Sequence, residues 1–255
     1  MSGPPFAPEV EFLLRLGDDA LVLGQRLAEW TGRGPALEED IALANTALDL
    51  VGEARLWLAL AGEREGRGRD ADALAFRRDP MDFRCLLLAQ QPNRDFGHTM
   101  MRGFLFDAWH APRLLALAGS ADGRVAEIAA KTAKEAAYHL DRSRGVVVAL
   151  GDGTAESHRR MQQALDWLWP LAREMFEADA ADRAMAERGV APDPSSLREG
   201  WERTVREALA EATLRVPEDG AARSGGRTGR RHTEALGHML AVMQSLHRAH
   251  PGASW

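Results

Sequence analysis

Apolar residues return every three or four positions through most of this chain, over stretches of twenty residues and more, and that period fits α-helices and little else. Phe12, Leu16, Ala20, Leu23, Leu27 and Trp30 mark the first such stripe, in a helix expected from about Pro8 to Thr31 with Glu9 and Glu11 at the positive end of its dipole. A second helix is expected from about Pro35 to Ala61. It is apolar along two stripes at once, Ile41, Ala44, Leu48, Val51 and Leu58 on one and Leu43, Ala47, Leu50, Ala54 and Trp57 on the other, which predicts a central place in the core. A single tyrosine in 255 residues, with Ala, Leu, Arg and Glu abundant, leaves little material for strands.

Glycine and proline divide the rest. Glu63 to Asp72 reads as a charged linker, and Asp79-Pro80 as the start of a shorter helix through Ala89. A third long helix begins near Asp95 and carries Pro112, where a kink or a restart is expected. Gly119 to Gly123 is a short reversal that makes a fourth helix, about Arg124 to Leu150, the antiparallel neighbour of the third. A fifth, about Ala155 to Glu187, should bend at Pro170, and a sixth starts at Pro194. A loop from Val216 to Arg231 precedes a last helix over about Thr233 to His250. The predicted fold is all-α: two long antiparallel pairs in a four-helix bundle, additional C-terminal helices, and one domain over residues 1–255.

A net charge of −6 argues against a phosphate-neutralising surface, so no nucleic-acid partner is expected. Cys85 is the only cysteine, which rules out an intrachain disulfide or a thiolate-held cluster and suits a reducing cytoplasm. No stretch approaches the roughly 18 apolar residues of a membrane span, and no secretory leader is legible, so a soluble, cytoplasmic protein is expected. Neither a Gly-x-Ser-x-Gly elbow nor a Walker loop is present.

Helix bundles that hold two metals draw a carboxylate from each of two helices and a Glu-x-x-His from each of the other two, because residues three apart share a helix face. Asp19 and Asp49 stand about thirty positions apart, the separation of two antiparallel helices and a turn. Three residues after Asp49, however, comes Gly52, which ligates nothing. In the fourth helix Glu135 is followed at that spacing by Tyr138, with His139 one residue late. Two irons need about six protein ligands, and Asp19, Asp49, Glu135 and His139 are the only plausible ones. The pattern reads as a vestigial site whose acids pair with side-chain cations, Arg142 being the first candidate partner, one turn from His139. An autonomous di-metal oxidase is the alternative. A CoA-ester binding module acting through the arginine- and glycine-rich run Arg223 to Arg231 is another, although a packed or solvated loop explains that run better. Trp57, Trp109, Trp167, Trp169 and Trp201 lie inside helices and are read as core or interface.

Several blocks, in order, carry a family resemblance: LRLGDDALVLGQRLAEW from Leu14, EEDIALANTALDLVGEARLWL from Glu38, FDAWHAPRL from Phe106, KEAAYHLDRSRG from Lys134 and HTEALGHMLAVMQSLHRAHPGASW from His232. With them the chain resembles the non-catalytic, PaaC-type subunits of bacterial phenylacetyl-CoA epoxidase over nearly its whole length. The resemblance implies a ferritin-like fold and a place in a monooxygenase complex of aerobic phenylacetate catabolism. It also implies the partners: a di-iron catalytic subunit, a small bridging subunit and a reductase component, with a homodimer when the chain is alone. No catalytic residue carries over and no cofactor is implied in this chain, the di-iron centre belonging to the catalytic subunit. An exposed apolar patch on the first three long helices is expected to meet that subunit.

Overall fold

The computed structural model describes residues 6–218, 220–251 and 253. Among them are ten α-helices, three short 3-10 helices and no strand. The chain resolves into two compact units, one of residues 1–92 and 224–255 and the other of residues 93–223.

The first unit is built on a helical hairpin, α1 (Pro8–Ala28) and α2 (Leu37–Glu65). Their antiparallel register is marked by an ion pair of Arg64 with Glu9 at 3.2 Å, by Gly17 lying against Leu58, and by Gly24 lying against Val51. The two helices are not buried as their stripes predict. Almost every residue of α1 from Val10 to Leu27 is buried, Glu11, Arg15, Asp18, Asp19 and Arg26 included, so α1 and not α2 is the central helix. On α2 one of the two apolar stripes lies largely at the surface, with Ile41 52% and Leu48 70% exposed, Ala44 and Val51 half-buried and only Leu58 buried; Leu37, at the start of the helix, is 70% exposed as well. Periodicity reads a paired charge as a solvent-facing one, and in α1 that inverts the expected order.

The region between α2 and the second unit also departs from expectation. α2 runs on to Glu65, three residues into the expected linker, and a short helix α3 (Ala71–Phe76), capped by Asp70, begins inside the linker's end and continues past it. Gly62 lets the returning chain lie against α2, since a Cβ there would come within 2.0 Å of the Arg69 carbonyl oxygen. The helix predicted from Pro80 to Ala89 is a 3-10 turn, Pro80–Asp82, followed by a non-helical strap from Phe83 to Gln91 that is buried throughout. A buried strap without secondary structure must find partners for its backbone polar groups, and α1 supplies them. The Arg84 N–H donates to Asp18 at 2.7 Å, and the Leu86 N–H donates to Asp19 at 2.7 Å.

After the second unit the chain returns to the first with a loop against this strap, then α9 (Glu234–Met243) and α10 (Ser245–Ala249). The single C-terminal helix predicted here is broken at Gln244, whose amide donates to the Ala75 and Arg78 carbonyls at 3.0 Å each. Residues 252, 254 and 255 of the last resemblance block lie outside the described residues.

The second unit is built on another antiparallel hairpin, α4 (Phe96–Leu117) and α5 (Gly123–Gly151). Asp95 and Asp122 cap their starts by accepting N–H groups of the first turn. α4 passes Pro112 without a break. α6 (Ala155–Ala172) ends two residues past Pro170, gives way to a 3-10 turn, and is followed by a separate α7 (Ala180–Glu187) capped by Asp179, where one bent helix is predicted. Pro194 opens a 3-10 turn that leads into α8 (Arg198–Glu211), and the Trp201 indole N–H donates to the Leu105 carbonyl at 2.9 Å.

The pair Asp18–Arg78 is buried on both sides and ties α1 to the segment that starts the strap. Removing one member of a buried pair strands the other charge at a cost of about 3–5 kcal/mol. Arg78→Ala is expected to lower unfolding free energy in urea by about that much, and Asp18→Asn combined with Arg78→Met by clearly less than Arg78→Ala alone.

Candidate functional site

The polar centre of the first unit is a set of acids on α1 and the donors that meet them. Asp18 is held by the Arg78 guanidinium, at 2.9 Å from Nη1 with a second, shorter contact from Nη2, and by the Arg84 N–H. Arg78 spends its remaining donors on the Leu74 and Asp82 carbonyls, and its guanidinium lies 4.3 Å from the centre of the Phe83 ring. Glu11 pairs with Arg84 at 2.8 Å and with Arg15 at 3.3 Å. Arg26 reaches Glu29 at 2.7 Å, the Gln90 carbonyl at 3.1 Å and the Ala235 carbonyl at 2.7 Å. On α2 the buried Glu53 accepts the Trp57 indole N–H at 2.9 Å.

Gln90 extends the network. Its amide nitrogen donates to the Cys85 carbonyl at 2.9 Å and lies 3.0 Å from His232 Nδ1, while its oxygen accepts the Thr233 N–H at 2.9 Å. Burial pushes the His232 imidazole below its usual range, with the nearby Arg84 charge adding to it. The run that suggests a CoA site is thereby placed. Gly226 lies so close to the strap that a Cβ would come within 2.3 Å of the Cys85 carbonyl oxygen, and Arg227 is buried. The middle of this run is packed against the strap, with Gly226 there for close approach, while Arg223, Arg230 and Arg231 are exposed.

In the second unit Glu174, Asp182 and Asp107 are buried, and Asp107 of α4 is the one on the long hairpin. The Ser143 hydroxyl of α5 donates to its Oδ2 at 2.7 Å. Burial pushes this carboxyl above the usual carboxylate range, against the opposing charges of His139, His110 and Arg142 and the Ser143 hydrogen bond. At the start of α4, burial lowers His98 to about 4, and Arg102 and Arg94 push the same way. Arg94 stacks at 3.9 Å on the ring of Trp167, a half-covered surface tryptophan, whereas Trp57, Trp109, Trp169 and Trp201 are buried.

The positions singled out as a vestigial metal site do not share one environment. Asp19 is fully buried and is tied to the Leu86 N–H. Asp49 is half-exposed and Gly52 exposed, on the outer side of α2. Glu135 is exposed, as is Tyr138 at 61%, while His139 is buried. Of the α5 positions only His139 is buried, and the buried acid near His139 and Arg142 is Asp107 rather than Glu135. Arg142 is half-buried and brings Nη1 to 4.0 Å from Met100 Sδ. Among the described residues no group of three or more His, Cys, Asp or Glu side chains is placed to hold a metal ion. None of the described helices is long and apolar enough to cross a membrane.

Sequence reasoning missed Asp18, Arg78 and Arg84; it gave Glu11 only a place at the helix dipole and Asp107 only a place three residues before His110. The available signals were Asp18-Asp19 inside a helix with few other polar residues and a lone Asp in the run Phe104–Trp109; both are acids where solvent is scarce.

Residues 6–255 match the family model described as phenylacetic acid catabolic protein. The chain belongs to that family. The phenylacetic acid catabolic proteins of this type are ferritin-like, in keeping with an all-α chain carrying two long helical hairpins and additional C-terminal helices. Within the family the chain is 50% identical over 244 residues to the PaaC subunit of 1,2-phenylacetyl-CoA epoxidase from Escherichia coli (strain K12), covering 96% of this chain and 98% of that protein.

Two substitutions separate a buried structural acid from a surface one. Asp19→Ala leaves the Leu86 N–H buried without its acceptor and is expected to cost about 1–3 kcal/mol, whereas Glu135→Ala on the exposed side of α5 should change stability by no more than about 0.5 kcal/mol. Denaturant titration of both variants checks the contrast.

Proposed function

We infer that this chain is the PaaC subunit of a phenylacetyl-CoA epoxidase acting in phenylacetate catabolism. The observation that carries the assignment is 50% identity that runs over 96% of the chain and 98% of its curated relative, with no large insertion or missing segment to suggest a change of use. The family match is also unbroken across both compact units, which supports treating residues 1–255 as one ferritin-like domain.

We propose that the chain is the non-catalytic member of the complex. Its work is to pair with and stabilise a di-iron catalytic subunit, alongside a small bridging subunit and a reductase component, in the cytoplasm. Three features support this. The Glu-x-x-His spacing is broken by Gly52 after Asp49 and by Tyr138 after Glu135. The acids of α1 already have protein partners, so their charge needs no metal. And α2 presents Leu37, Ile41 and Leu48 to solvent, with Ala44 and Val51 half-buried between them. Successive steps of four, three, four and three along that face are the spacing of a seam against another helix. Ferritin-like partners offer helices, and an exposed apolar stripe of this kind marks an interaction face. Of the first three long helices, α1 is buried and α4 exposes the single large apolar residue Leu115, so α2 with its run of exposed apolar residues is the best-placed part of the expected patch.

Co-expression with the neighbouring di-iron subunit tests the assignment. The two should elute together, and ring epoxidation of phenylacetyl-CoA in the presence of reductase should need both. Leu48→Arg should abolish co-elution while leaving the circular dichroism and melting of the isolated chain unchanged. Epoxidation by the catalytic subunit at full rate without this chain, or an undiminished complex with Leu48→Arg, would count against the reading.

A further inference from the structure

We propose that Arg55 is the polar anchor of the exposed α2 seam, and that the helix docking there belongs to a partner subunit with a carboxylate placed to meet it. The inference rests on the subunit reading above and adds to it the chemistry of the partner's contact face.

Arg55 stands on the seam rather than beside it. From Leu37 the series runs through Ile41, Ala44, Leu48, Val51 and Arg55 in steps of four, three, four, three and four, and its next member, Leu58, is buried. Arg55 is thus the last exposed residue of the series. Four residues of helix rise only about 6 Å, so a helix lying along the seam as far as Val51 reaches Arg55 as well.

The chain itself leaves this guanidinium unengaged. The residues three and four positions away on α2 are Val51, Gly52, Leu58 and Ala59, and none of their side chains accepts a hydrogen bond. Among the described residues no ion pair, hydrogen bond or ring contact reaches Arg55. Surface arginines elsewhere are paired: Arg159 and Arg160 with Glu156, Arg198 with Glu202, and Arg144 with Glu211. Glu38, at the other end of the seam, lies in the first turn of α2, where the helix dipole accounts for an acid. No such account holds for a cation in the body of the helix. Beside Arg55 the surface is open, since Gly52 is exposed and no atom lies within 4 Å of where its Cβ would stand. A second backbone has room to come close there.

A guanidinium covered by apolar side chains loses its water and needs an acceptor in exchange. A carboxylate fits best, because its two oxygens match the planar fork of donors. In paired helices a single polar residue within an apolar seam fixes register and the choice of partner. The partner helix accordingly carries apolar residues at steps of three and four, followed by an Asp or Glu opposite Arg55. A second copy of this chain offers Glu38 as the acid, and the test separates the two.

The test is the affinity of the full chain for the di-iron subunit, measured by titration calorimetry at low and high salt for the unaltered chain, Arg55→Glu, Arg55→Lys and Leu48→Arg. Arg55→Glu should weaken the complex at least about tenfold. Arg55→Lys should weaken it less, the charge being kept and the fork lost. Raised salt should weaken the unaltered complex and not that of Arg55→Glu. The isolated Arg55 variants should melt with the unaltered chain, there being no internal contact to lose. If Leu48→Arg breaks the complex while Arg55→Glu changes neither affinity nor salt response, this inference is overturned and the subunit reading stands. An undiminished complex with both variants overturns both. A dimer of the isolated chain that Arg55→Glu breaks and Arg55→Glu with Glu38→Arg restores, the mixed complex being unaffected, overturns it in favour of a second copy. A melt lowered by Arg55→Glu shows an internal role and overturns it as well.

Discussion

A helix buried on nearly every side tolerates charged residues only where the rest of the fold supplies each one with an opposite charge or a hydrogen-bonding group. α1 meets that constraint. Glu11, Arg15, Asp18, Asp19 and Arg26 all lie in its buried span, and an uncompensated ion there would cost several kcal/mol. Arg84 and Arg15 meet Glu11, Arg78 meets Asp18, and carbonyls of Gln90 and Ala235 meet Arg26. The strap from Phe83 to Gln91 has no helix or strand of its own, and two of its N–H groups end on adjacent aspartates of α1. The charges of α1 and the conformation of the strap are thus one arrangement, and neither persists without the other. The C-terminal loop closes over it, with Gly226 against the Cys85 carbonyl and Thr233 on Gln90.

This arrangement bears on what the chain does. A ferritin-like bundle that binds iron leaves its inner carboxylates for the metal, whereas here the most buried acids of the first unit are engaged by guanidinium groups and backbone N–H. The second unit solves the same problem differently, with Asp107 against a serine hydroxyl. Among the large apolar side chains exposed in the described residues, Leu37, Ile41 and Leu48 line up along one helix, α2. Acids engaged by protein groups and an exposed apolar stripe on α2 are the features on which the proposed supporting role rests.

Much of the helical order was legible because apolar spacing of three and four reports helices directly, and the caps at Asp95 and Asp122 lie at residues where a helix start is chemically favoured. The boundaries that failed share a cause. The 83–91 strap is as apolar as a short helix, and only its long-range partners on α1 distinguish the two. The expected fifth helix breaks where Asp179 and Asp182 form a capping box that its length obscured. The ranking of α1 and α2 failed because hydropathy cannot distinguish a paired, buried Arg15 from a solvated one, nor a core leucine from an interface leucine such as Leu48. Of the candidate metal positions, the lost ligands Gly52 and Tyr138 could be read from residue identity alone. The exposure of Glu135 and the engagement of Asp19 by the strap required the fold.

Metal analysis of the isolated chain, expressed in iron-supplemented medium and melted before and after treatment with a chelator, examines the central claim most directly. With the acids of α1 neutralised by arginines and backbone N–H, iron should be far below one equivalent and the melting temperature unchanged by the chelator. Two equivalents of iron per chain, together with a melting temperature that falls on chelation and recovers on adding iron back, would contradict it.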